Sequence, residues 1–418
     1  MGTLWKIALR NTVRHARRTI ITAVVMMGGI AVFIFYDSLL AGLDRMAVDT
    51  MESYTLSSLK IRTPAYVQDI QGAPLDKGLA HPEETLAVVT AQGLQATQRI
   101  RFVARLSNYT DEIPVLADAV DPAADPKVFR LAQAVTEGAW LSRASPHSVV
   151  LGAELARELS LNVGDTVLVT AQTVHDVTNA DEYTVAGLLS TPAPEVNRGG
   201  LFMPLDEARA LLDTPAGPGA LVTEVDVALP RAPSLAAALA QGEAAASRLR
   251  AALPAERIDP IGSLAAGYLA LRNAKASYSL IPVIIVLMIA AVGIVNTILM
   301  SVFSRVREIG VLRAYGMTAR DIKRLFTLEG LALGLAGSTL GVALGAALDL
   351  LLVVRGVSMG SLSQSLGSLP ISGVLHGEWN PKTMIIGFLF GVVVSLIAAR
   401  IPARRASRLQ PTDALRFQ

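Results

Sequence analysis

The chain contains no cysteine. This removes thiol chemistry and disulfides from consideration but excludes no compartment, because an inserted domain of this size buries an adequate core unaided. Histidine is scarce, and residues 15, 81, 147, 175 and 376 are scattered without metal-ligand spacing. There is no GxxxxGK[ST] phosphate loop: GSTLG at 337–341 sits inside an apolar run and lacks the lysine. HExxH and GxSxG are missing too. Paired acids, Glu83 with Glu84 and Asp111 with Glu112, fall where exposed turns are expected. The expectation is a non-catalytic chain that binds no cofactor or metal of its own. Charge is also scarce, at 17% of residues, and almost none lies within the long apolar runs, which argues against an autonomous ion pump or secondary transporter.

The chain does have apolar length. Runs at 20–43, 280–303 and 325–354 each suffice for a span at roughly 20 residues per 30 Å of hydrocarbon. A fourth, at 384–399, is short, but interfacial Trp379 and snorkelling Arg400 extend it. The first run exceeds the roughly 7–15 residues of a signal-peptide core and has no small-residue cleavage site after it, so it reads as a retained span. The low net charge of +2 hides a segregation. Lys6, Arg10, Arg14, Arg17 and Arg18 precede the first run, six basic residues fill 304–324, and five lie from Arg400 onward. Residues 44–279 instead hold 19 basic and 28 acidic residues. The positive-inside rule then puts both termini and the 304–324 loop in the cytosol and 44–279 outside.

The expected architecture is a membrane protein with four transmembrane helices (1 + 3) and a large α+β extracytoplasmic domain inserted between helices 1 and 2. Residues 1–19 form an amphipathic elbow helix in the interface, an anchor and not a nucleic-acid site. The first span covers 20–43, and the inserted domain 44–279 carries stalk helices at both ends. Spans at 280–303, 322–354 and 384–400 follow, separated by a cytosolic segment at 304–321 and an external loop at 355–383, with a cytosolic tail at 401–418. Inside the inserted domain, strands are expected at 58–64, 99–107, 112–120, 148–152, 166–171, 181–191 and 224–230, and helices at 82–97, 205–213 and up to Leu253.

The organising stretch is RVREIGVLRAYGMT, 305–318. Val306, Ile309, Val311, Leu312 and Tyr315 have the spacing of a short amphipathic helix among Arg305, Arg307, Glu308 and Arg313. Gly316 suits a left-handed helix end, and Thr318 with Asp321 an N-cap pair. The same residues also fit a solvated basic loop. In the third span, Gly330, Gly334, Gly337, Gly341 and Gly345 lay a bare strip along one face for helix packing, and Asn296 with Thr297 offers hydrogen bonds from the second.

These pieces resemble the FtsX/MacB/Lol-type permeases of ABC transporters. ALRNTVRHARRTIIT is similar to their elbow helix, and NTILMSVFSRVREIGVLRAYGMTARDI to their second span and coupling helix. LEGLALGLAGSTLG matches their third span, IPARRASRLQPTDALR their closing motif, and VVLGAELARELSLNVGDTVLV their periplasmic domain. The layout lies closest to the lipoprotein-releasing LolC/LolE permeases. The resemblance implies a mechanotransmission subunit in a bacterial inner membrane, moved by a separate ABC ATP-binding subunit present in two copies that carries ATP and Mg, and paired with a second permease copy or a paralogue. By position, Arg305, Arg307, Glu308, Ile309, Gly310, Leu312, Arg313 and Gly316 are implied to meet that ATPase. The implied cargo is a lipoprotein or another lipophilic molecule. MacB-like efflux of peptides or drugs, FtsX-like control of cell-wall hydrolases, and a membrane-anchored receptor without an ATPase stand as alternatives. A periplasmic chaperone or adaptor is a further implied partner, yet only 172–181 separates the strands between which one Lol subunit carries an extended hook.

Overall fold

The computed structural model describes residues 16–215, 220–358 and 374–408, together with Lys6 and Arg10. Most of the expected elbow, the middle of the 355–383 loop and the end of the tail lie outside the described residues, as do the side chains at 275–280, 282–283, 286–287 and 290. The chain divides into two units, Asp44–Leu271 and the helical segments on either side of it.

The inserted unit is α+β. Its first element is the end of α1 (Ala16–Met51), followed by one π turn, Glu52–Leu56. β1 (Leu59–Arg62), α2 (Pro64–Gln68), α3 (Pro82–Ala91), β2 (Gln95–Ser107) and β3 (Glu112–Val120) come next. After them lie β4 (Val135–Gly138), β5 (Ser148–Gly152), α4 (Ala153–Glu158), β6 (Thr166–Gln172), β7 (Thr178–Leu189), α5 (Pro194–Gly199), β8 (Gly200–Pro204) and α6 (Leu205–Leu212). β9 (Glu224–Ala228), α7 (Leu235–Ala252), β10 (Arg257–Pro260) and α8 (Ile261–Leu264) complete it. Two substructures share β2. Its first half joins an antiparallel sheet in the order β10-β1-β9-β2, with α3 and α7 packed on it, the split βαβ arrangement of ferredoxin-like folds. Its second half belongs to a ring, β2-β3-β8-β5-β7-β6, which closes because β6 pairs with both β7 and β2. Closure removes two exposed edges.

The ferredoxin-like sheet is buried on both faces. Leu59, Ile61, Ile100, Phe102, Val225 and Val227 face the apolar core. The alternate positions form a buried layer of charge in which cross-strand neighbours carry opposite signs. Lys60 Nζ lies 2.6 Å from Glu224 and 2.9 Å from Asp226. Arg62 meets Asp259 at 2.7 Å, Arg99 meets Asp125 at 2.7 Å while its guanidinium stacks 3.5 Å from the Phe129 ring centre, and Arg101 meets Asp118 at 2.7 Å. Burial by itself would raise the Glu224 carboxyl, but Lys60 and Arg101 hold it below the usual carboxylate range. For Asp125 burial wins over Arg99 and pushes the carboxyl up to about 6.

The stalk ends are part of this unit. Val48, Leu235, Ile261 and Ala265 form a small apolar cluster with Met51 and Tyr268 against it. Tyr268 Oη donates to Asp44 Oδ1 at 2.9 Å, and Arg45 donates to the carbonyls of Ser234 and Ala232 at 3.1 Å.

In the helical unit, α9 (Ala266–Ser304), α10 (Val306–Ala314), α11 (Ala319–Arg355) and α12 (Pro381–Ser407) join α1, and a two-residue strand pair, β11 (Val357–Ser358) with β12 (Val374–Leu375), lies between the last two helices. Among the described residues three helices are long and apolar enough to cross a membrane: Thr19–Leu56, Ala319–Arg355 and Pro381–Ser407. The expected span at 280–303 lies within α9, where the described apolar stretch is Ala291–Ser304.

The glycine strip of α11 explains the packing. A Cβ on Gly330 would run into Ala399, and one on Gly334 would approach Ser395 Cβ to 2.7 Å, both on α12. On Gly337, Gly341 and Gly345 it would lie 2.9, 2.8 and 2.9 Å from Met26, Ile30 and Ile34 of α1. One bare face therefore seats two helices in succession, α12 and then α1. The hydrogen bond across to α9 is made by Thr297, whose Oγ1 lies 2.6 Å from Thr22 Oγ1. Asn296, expected to serve helix packing, is exposed within this unit.

Candidate functional site

The 305–318 stretch is a helix pinned at both ends. α9 stops at Ser304, Arg305 departs from helical geometry with φ −126° and ψ 20°, and α10 begins at Val306. Gly316 closes α10 with φ +94°, a conformation that side chains with a Cβ resist. Thr318 opens α11 with a reciprocal capping box: Asp321 N–H donates to Thr318 Oγ1 at 3.2 Å, and Thr318 N–H to Asp321 Oδ2 at 3.1 Å.

α10 is then fixed along its length. Ile309 is 1% exposed and, with Ile322 and Phe326 of α11 and Ala403 and Ala406 of α12, belongs to the core of the unit; Val306 and Gly310 are buried and Leu312 is half-buried against it. Arg305 Nη1 lies 3.1 Å from Glu329 Oε1 and its Nε 2.8 Å from Glu308 Oε2. Arg313 Nη1 donates to the Ser407 carbonyl at 3.3 Å. The face left outward runs Arg307, Val311, Tyr315, one turn apart, with Glu308 beside Arg307 and Arg320 beyond Gly316. Tyr315 is 87% exposed and Val311 40%.

The eight residues singled out by resemblance therefore separate. Arg307, Glu308 and Gly316 are exposed, Arg305, Leu312 and Arg313 half-buried, and Ile309 and Gly310 buried. Val311 and Tyr315, which the sequence reading took only as apolar filler of an amphipathic helix, form the exposed apolar part of the outward face. Their signal was there: they lie four and eight residues from Arg307, on one helical stripe.

At the other extreme, β6 and β7 pair down to Gln172 and Thr178, so the hairpin between them is a tight turn at 173–177 without room for a hook. An open cleft of about 640 Å³ adjoins this hairpin, lined by Leu75, Asp76, Phe102, Arg105, Thr170 and Gln172 among others. Among the described residues no group of His, Asp and Glu could hold a metal ion.

Comparison with known proteins adds relatives. The family model described as MacB-like periplasmic core domain matches residues 19–252, and that described as FtsX-like permease C-terminal matches 280–411. The lipoprotein-releasing system transmembrane protein LolC of Xylella fastidiosa is 27% identical over 318 residues, covering 73% of each chain. The macrolide export ATP-binding/permease protein MacB of Escherichia coli is 31% identical over 134 residues, covering 32% of this chain and 18% of that one. The crystal structure of the periplasmic region of MacB from Actinobacillus actinomycetemcomitans, 13% identical, covers 50% of this chain and 91% of its own with a TM-score of 0.35, too low to carry an argument.

Proposed function

Since the chain belongs to the FtsX/MacB-type permeases of ABC transporters, we propose that it is the mechanotransmission subunit of a complex whose ATP hydrolysis resides in a separate chain. In this reading α9 supplies a fourth span, the complex sits in a bacterial inner membrane, and both termini and α10 lie in the cytosol. The charge segregation along the chain supports that orientation. Two ATP-binding subunits dock on α10 and its counterpart in a second permease copy or paralogue. ATP and Mg belong to those subunits, and this chain performs no catalysis.

The observation that carries the reading is the outward face of α10. A short helix held by a core, two ion pairs and two caps still presents Val311 and Tyr315 between Arg307 and Arg320, an apolar centre with a charged rim of the kind that docks a protein. Inward Ile309 and Gly310 shape that helix, while Arg307, Glu308, Val311 and Tyr315 touch the partner. For cargo we favour a lipoprotein or another lipophilic molecule released into the periplasm, because the similarity to LolC runs over 73% of the chain whereas that to MacB covers a third. The tight turn at 173–177 counts against recruitment of a chaperone through this hairpin.

Purification from native membranes in mild detergent, with companions identified by mass spectrometry, tests the reading. An ATP-binding subunit bearing a phosphate-loop lysine should co-purify. Its absence would leave the chain a receptor.

A further inference from the structure

Resting on that reading of α10, we infer that its displacement is carried sideways, through the Arg305–Glu329 ion pair into α11 and through the glycine face of α11 into α1, instead of straight along α9. Arg305 is the one non-helical residue between α9 and α10, and its N–H reaches Val302 O, three residues back, at 3.1 Å. A helix ladder interrupted at one residue bends there, so a push on α10 turns about Arg305 and is not delivered end-on to α9.

The side chain of this pivot is fastened elsewhere. It lies 3.1 Å from Glu329 on α11, and the two side chains are only 11% and 7% exposed. At that burial the pair is poorly screened, and separating it would strand a carboxylate in a dry site, so the two helices are held together at this point. Glu329 directly precedes Gly330, and further along the same helix Gly337, Gly341 and Gly345 receive Met26, Ile30 and Ile34. Side chains seated against bare backbone leave no slack, and packed interiors transmit displacement. α1 then runs without a break to Met51. Glu329 is thus a positioning residue, acting through Arg305 and not by touching the partner.

The cysteine-free chain allows a clean test. A bimane label on Val32→Cys, a position 59% exposed on α1, is followed in the full permease with its co-purified ATP-binding subunit in nanodiscs. ATP should change the emission of the parent. Glu329→Gln should cut that change about tenfold while the subunit stays bound and hydrolyses ATP. Arg305→Glu combined with Glu329→Arg should restore about half of it, as expected when the pair and not either residue matters. A full response in Glu329→Gln overturns the path. So does a charge swap that folds with the parent's Tm but restores nothing, or a parent that does not respond. A parent from which no ATP-binding subunit can be recovered overturns the functional reading itself.

Discussion

Replacing Asp125 by Asn should stabilise the inserted domain at neutral pH, although it removes an ion pair. Asp125 is fully buried, 2.7 Å from Arg99, and its carboxyl is pushed from an ordinary 3.8 up to about 6. A raised native value means that the folded state binds the proton more tightly than the unfolded chain does. Stability from this group is therefore highest below pH 4, falls as pH rises through 4–6, and stays low above. A difference of about two pH units corresponds to about 3 kcal/mol. The Asn variant lacks this slope: it should match the parent near pH 4 and exceed it by about 3 kcal/mol at pH 7. Trp5→Phe with Trp379→Phe leaves Trp140 as the sole tryptophan, in the same apolar cluster as Phe129 and 5.9 Å from Phe202, so its emission in urea titrations of the detergent-solubilised chain follows this region. A variant less stable than the parent at pH 7, with a deficit that grows with pH, would show that Arg99 outweighs burial and refute the reasoning.

Lys60→Met strips Glu224 and Asp226 of their shared cation and should cost about 3–5 kcal/mol in the same titration, part of which Glu224→Gln should recover. Gly341→Leu drives a side chain into Ile30 and should destabilise the helical unit by about 1–3 kcal/mol, read as a lower melting temperature by circular dichroism; exposed Ala336→Leu on the same helix should leave it unchanged. Glu308→Ala with Arg313→Ala should uncouple ATP hydrolysis from cargo release at an unchanged melting temperature, measured with the reconstituted complex.

The sequence made some features legible and hid others for identifiable reasons. Local signals translated directly: the Thr318–Asp321 capping box, the turn at Gly316 and the Asn380–Pro381 start of α12 depend on a few neighbouring residues. The glycine strip was readable as a packing face, but which helices it seats was not, since that depends on topology. The expected helix at 82–97 ends at Ala91 because Gly93 turns with φ +75°, and Gln95–Thr97 already belong to β2. β4, β8 and β10 escaped notice, being only four or five residues long. Alternating charge in Lys60–Arg62, Arg99–Arg101 and Glu224–Asp226 has the look of a solvated strand face. Only a second layer over the sheet turns it into a buried network, and no local pattern announces that layer. In α10 the same limit applies: periodicity gives relative positions around the helix, and the core decides that Ile309 faces in while Tyr315 faces out.

The central claim is that the outward face of α10 docks an ATP-binding subunit. A photo-crosslinker on Val311→Cys in this cysteine-free chain tests it most directly, with Val103→Cys on the inserted domain as the control. The account predicts that illumination of native membranes joins Val311→Cys, and not Val103→Cys, to a polypeptide carrying a GxxxxGK[ST] phosphate loop. Capture of lipid alone at Val311, or an equal yield of that polypeptide from Val103, would contradict it.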